Sequence, residues 1–145
     1  MRETCELFNI IPKEEIGRVF SESDTIGAEC DFTFLGFEEV YKSVLNFVPK
    51  SRIIVDLGCA YASQAYYFTD YRKYIGVDNG GIDVHFQTEN MEYYHEGIQT
   101  FISKLAERDI NVNECFAICS YMPDDNASRL VRQTFPDLLV YYPKQ

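Results

Sequence analysis

The chain has 145 residues, 46% of them hydrophobic, and 13 basic against 23 acidic side chains give a formal net charge of −10. One domain of that length can bury roughly two-thirds of its unfolded surface, and the composition is that of a globular protein, not a disordered one. A pI of about 4.6 with no Lys/Arg cluster argues against unaided binding to nucleic acid or an anionic membrane.

The five cysteines, Cys5, Cys30, Cys59, Cys115 and Cys119, are odd in number and lack the spacing of a disulfide or metal framework. They read as small apolar residues of a reduced chain. Arg2, Glu3 and Glu6 stand where a secretory leader would carry a basic region and an apolar core, and no apolar run is long enough to span a bilayer. The expectation is a cytoplasmic protein with no metal and no membrane partner.

Along the chain, residues 1–35 are expected to form an N-terminal helix, opened by Pro12-Lys13-Glu14-Glu15-Ile16, and then a loop. Asp31 to Phe37 could act as a lid. The α/β core is expected over 36–145. Phe37, Val40, Tyr41, Val44, Leu45 and Val48 recur at helical spacing up to Pro49. Arg52 to Leu57 is a continuous apolar run of the kind found in a central parallel strand covered on both faces. Gly58-Cys59-Ala60-Tyr61-Ala62 then turns the chain into a helix over Ser63 to Tyr71, packing Ala65, Tyr66 and Phe68.

A second strand is expected over Lys73 to Val77, ending in Asp78-Asn79-Gly80-Gly81, and a short third strand over Val84 to Gln87. Tyr94, Ile98, Phe101, Ile102 and Leu105 place one apolar stripe on a helix from Glu92 to Arg108. Cys115 to Cys119 is the fourth strand, Pro123-Asp124-Asp125 opens a helix through Thr134, and Leu138 to Tyr142 is the fifth strand, stopped by Pro143. The alternation predicts an α/β fold: a Rossmann-like, doubly wound, mainly parallel sheet of about five strands with helices on both faces.

Two apolar strands, each ending near an Asp and about twenty positions apart, are the arrangement that builds a nucleotide-like cofactor site. Small residues let a ligand approach backbone in the first turn, and the second carboxylate can accept ribose hydroxyls. Asp56-x-Gly58-x-Ala60-x-Ala62, with a helix before the first strand, resembles the first motif of class I S-adenosylmethionine-dependent methyltransferases. The resemblance covers roughly Gly36 to Tyr142.

It implies a methyltransferase with S-adenosylmethionine as cofactor and a small molecule or protein as substrate. Gly58 and Ala60 would approach the ligand's amino-acid portion through backbone, with Cys59 in the same turn and Tyr61 covering the ligand, and Asp56 would neighbour its ammonium directly or through water. Asp78 would take the ribose hydroxyls and Asn79 would flank the adenine. Asn90 and Met91 would contact the adenine ring from the loop after the third strand. Ser120 and Tyr121, at the end of the fourth strand, would face the transferred methyl group, and Asp124, with Asp125, could orient a substrate amine.

The sequence departs from the family in two glycines replaced by alanine and in having no terminal strand pair after the fifth strand. That strand is then expected to be an edge, available to a homodimer or a partner. A catalytically degenerate binding or scaffold module with a protein partner is the alternative, and a nicotinamide-dependent oxidoreductase a third.

Each residue also has a local explanation. Asp56 and Asp78 could cap backbone N–H groups, and Asp124-Asp125 a helix terminus. Cys59 could simply fill the turn. His85 and His95 could be general bases or ordinary surface or packed histidines.

Overall fold

The computed structural model describes residues 4–8, 41–42, 44–46, 48–59, 62–80, 87–119 and 125–142. Six strands form one sheet: β1 (Thr4–Phe8), β2 (Ile53–Leu57), β3 (Lys73–Val77), β4 (Met91–Tyr94), β5 (Cys115–Cys119) and β6 (Leu138–Tyr142). Their order is β1-β6-β5-β2-β3-β4. All neighbours from β6 to β4 run parallel, and β1 lies antiparallel to β6. The two helices of at least six residues that follow β4 and β5 are α1 (Ile98–Ser103) and α2 (Asp125–Thr134).

Parallel strands need crossovers, and crossovers cover both faces of a sheet, so the central strands must be apolar throughout. Every residue of β2 and β5 is buried. On one face, Ile54, Tyr74, Phe116 and Leu139 pack under Tyr41, Val44 and Val48 and under Ala65 and Phe68 of the 3₁₀ helix Ser63–Phe68. On the other, Val55, Leu57, Ile75, Val77 and Ala117 pack against Phe101, Leu105, Val131 and Phe135. This is the α/β, Rossmann-like doubly wound sheet expected from the sequence.

At the amino-terminal edge of the sheet, Arg52 gathers three strand starts. Its guanidinium donates to the Glu114 carbonyl at 3.1 Å, to the Cys115 carbonyl, and to Asp137 Oδ2 at 2.7 Å.

Three expectations are corrected. The fifth predicted strand, β6, is no open edge for a homodimer or partner: Thr4↔Tyr142 through Phe8↔Leu138 pair it with β1 of the same chain. The third parallel strand is Met91–Tyr94, three of its four residues inside the Glu92 to Arg108 span expected to be helical, because Gly97 separates an edge strand from a much shorter helix. The segment after the first turn is a 3₁₀ helix, and Tyr66 on it is 64% exposed, its ring edge-on to Tyr67 and outside the core. Residues 1–35 contribute a strand at Thr4–Phe8; the expected helix at Pro12, the lid at Asp31 to Phe37 and the strand residues Val84 to Phe86 lie outside the described residues. Among the described residues, no helix is long and apolar enough to cross a membrane.

Candidate functional site

In a doubly wound sheet the ligand crevice opens at the carboxyl ends of the strands, where successive connections leave toward opposite edges. Here β2 is that switch point, with β3 on one side and β5 on the other. The chain leaves β2 through Gly58, whose φ of 86° is a left-handed conformation that glycine adopts without a Cβ clash. Ala62 closes the turn, also left-handed at φ 56°. The Gly58 and Cys59 N–H groups both donate to the Val77 carbonyl, at 2.7 and 3.0 Å, which fastens the first turn to the end of β3.

Asp78 follows at once. Its Oδ1 accepts the Gly80 N–H at 2.6 Å, an Asx-type turn, and the carboxylate is half-buried at the rim. Its own N–H donates to the Tyr94 carbonyl at 3.2 Å. Beyond Tyr94, the exposed His95 has Nε2 3.2 Å from the Asn79 carbonyl. Gly58, Cys59, Asp78 and Asn79 are thus brought to one edge, and His95 joins them there. The sequence left His95 open between a general base and an ordinary histidine, and did not place it beside Asn79.

Asp56 lies elsewhere. Side chains alternate along a strand, so Asp56 projects to the same face as Ile54, into the core beneath Tyr41. It has no exposed surface. Tyr41 Oη donates to its Oδ1 at 2.6 Å, Tyr74 Oη to Oδ2 at 2.5 Å and Gln64 Nε2 to Oδ2 at 2.8 Å. Burial pushes its pKa up from 3.8, with Asp78 adding to the rise, against the opposing effect of the three hydrogen bonds. Three internal donors occupy this carboxylate beneath the turn, so it presents no exposed surface for the direct ammonium contact expected from the resemblance.

Cys59 is also buried, and burial drives its thiol far up, with Asp56 and Asp78 reinforcing the effect. Burial thus disfavours its thiolate, the form that acts as a nucleophile. Tyr93 packs beside it over Gly76, and its phenol is pushed up to about 12 by burial, with Cys59 and Asp56 contributing.

Asn90 and Met91 are at the wrong end of the sheet for an adenine contact. Met91 starts β4 opposite Tyr74 and is buried. Asn90 Nδ2 donates to the Tyr71 carbonyl at 2.6 Å, tying the amino-terminal side of β4 to the preceding connection. Ala60, Tyr61, Ser120, Tyr121 and Asp124 lie outside the described residues. Among the described residues, no group of three or more His, Cys, Asp or Glu could hold a metal ion.

No protein-family model matches the chain, and no curated protein or solved structure gives a significant match.

Proposed function

We propose that the chain binds an adenosyl ligand, S-adenosylmethionine before others, at the carboxyl edge of β2 and β3, and that it is a methyltransferase acting on a small molecule or protein. The observation that carries this reading is Asp78: a half-buried carboxylate at the end of the strand next to the switch point, facing a glycine turn with positive φ. A carboxylate there can accept both hydroxyls of a ribose, and a turn without a Cβ at Gly58 lets the ligand approach backbone. His95 and Asn79 would border the base.

The bound sulfonium would supply an activated methyl group. The chain's own part is positioning, which can account for much of such a transfer. Asp78 orients the ribose, and Ser120, Tyr121 and Asp124, following β5, would face the acceptor. The buried thiols of Cys59, Cys115 and Cys119 suit a reducing compartment such as the cytoplasm.

The withdrawal of Asp56 into the core favours a second reading. With its carboxylate held by Tyr41, Tyr74 and Gln64, the amino-acid end of the ligand loses the anionic neighbour that the family resemblance implied. A binding module without turnover fits that arrangement. Calorimetric titration followed by a methyl-transfer assay with candidate acceptors separates the two: binding with transfer supports the enzyme, and binding without transfer supports the module.

A further inference from the structure

We infer that Asp56 acts on the ligand turn from inside the core, as a positioning residue working through Gln64, and not by touching the ligand. Its bearing on ligand affinity rests on the adenosyl reading above.

The geometry is a relay. Gln64 Nε2 donates to Asp56 Oδ2 at 2.8 Å and to the Cys59 carbonyl at 2.9 Å. That carbonyl also accepts the Ala62 N–H at 2.8 Å, closing the turn on itself. The far end of the relay is fixed, because Tyr41 and Tyr74 hold the carboxylate from two different elements, the helical segment before β2 and strand β3. A side-chain amide bonded to a buried carboxyl group has little freedom, since a donor withdrawn from such a site leaves a costly unpaired group. The turn needs this support. It contains a non-glycine residue, Ala62, in the left-handed region, a conformation that surrounding contacts must enforce. Asp56, Gln64 and the Cys59 carbonyl thus do for the turn what its missing glycines would otherwise leave to backbone preference.

The test uses the full chain as Gln64→Leu, Asp56→Asn and, as a control, Tyr71→Phe. The control deletes a comparable buried bond, from Tyr71 Oη to the Val48 carbonyl at 2.6 Å, away from the turn. Amide hydrogen exchange is followed residue by residue without ligand, and each protein is then titrated with S-adenosylhomocysteine.

Losing the Gln64 bond to the carbonyl is expected to speed exchange at Cys59 and Ala62 about tenfold relative to Ala117 in β5, the effect of one charge-linked hydrogen bond. Affinity for S-adenosylhomocysteine should fall by a similar factor. Asp56→Asn, which keeps an acceptor oxygen for Gln64, should retain most of the turn's protection, and Tyr71→Phe should leave the Cys59-to-Ala117 ratio unchanged. Equal acceleration everywhere in Gln64→Leu, or none at Cys59 and Ala62, would overturn the positioning role. If the wild-type chain fails to bind S-adenosylhomocysteine while the exchange pattern is as expected, the adenosyl reading falls and the relay stands.

Discussion

Replacing Asp56 by Ala and by Asn separates the two costs that meet at this buried carboxylate. Alanine leaves Tyr41, Tyr74 and Gln64 with donors aimed at an empty acceptor site. Each stranded donor costs about 1–3 kcal/mol, offset in part by removal of a buried charge, so about 3–5 kcal/mol is expected. For a chain of this size that is a fall in melting temperature of roughly 10–20 °C.

Asparagine keeps the volume and one acceptor oxygen, and its amide can donate to a tyrosine hydroxyl oxygen. Its stability should lie within about 1 kcal/mol of wild type at acidic pH. The pH dependence then identifies the charge. The Asp56 pKa is raised in the folded chain, so between 3.8 and its folded value the native state holds more protons than the unfolded state. Wild-type stability from this group is fully present below 3.8 and is lost as pH rises through the folded pKa. Asparagine does not titrate, so the Asn-minus-wild-type difference must move in favour of Asn as pH rises. Glu92 and Glu96, lowered by hydrogen bonds and ion pairing with Lys73 and Arg108, act in the opposite sense but equally in both chains, and cancel. Urea unfolding from about pH 4 to about pH 8 measures this. A difference that stays flat with pH, or an alanine cost under about 1 kcal/mol, would refute the reasoning.

Three further outcomes follow from the packing and the site. Gly76→Ala would place a Cβ 2.8 Å from Tyr93 Cδ1 and 3.0 Å from Cys59 Sγ; thermal unfolding should show a loss of about 1–3 kcal/mol, partly recovered by Tyr93→Leu, and an unchanged melting temperature contradicts it. Arg52→Ala should cost about 2–4 kcal/mol in urea, with a coupling to Asp137→Ala above about 1 kcal/mol in a double-mutant cycle; additive effects would deny that the guanidinium ties the strand starts together. Asp78→Ala should leave stability without ligand within about 1 kcal/mol of wild type and abolish S-adenosylhomocysteine binding; an unfolded variant beside an unresponsive wild type would make Asp78 structural.

The buried strands were legible because burial on both faces demands continuous apolar runs: Lys73–Val77, Cys115–Cys119 and Leu138–Tyr142 coincide with the expected spans. The edges were not. β4 is half-exposed, and Tyr93 and Tyr94 pack against opposite faces. Tyr94 joins the same cluster as Ile98 and Phe101, so a strand followed by a helix imitates one helical stripe. β1 pairs with a strand 130 or more residues away, and nothing local in Thr4–Phe8 encodes that partner.

Gly58 and Asp78 lie at the turn and the strand end where the sequence placed them, because both leave local signatures. Asp56 was misplaced although period-two alternation from Ile54 pointed it into the core. Its partners Tyr41, Gln64 and Tyr74 come from three other elements, a juxtaposition that only the fold creates.

The central claim is an adenosyl site at Asp78 and Gly58, and calorimetric titration of the wild-type chain with S-adenosylmethionine, S-adenosylhomocysteine and NAD tests it most directly. Saturable binding of the two sulfur ligands near one per chain, with none of NAD and a loss of binding in Asp78→Ala, is the predicted result. A folded chain that takes up neither sulfur ligand would contradict it.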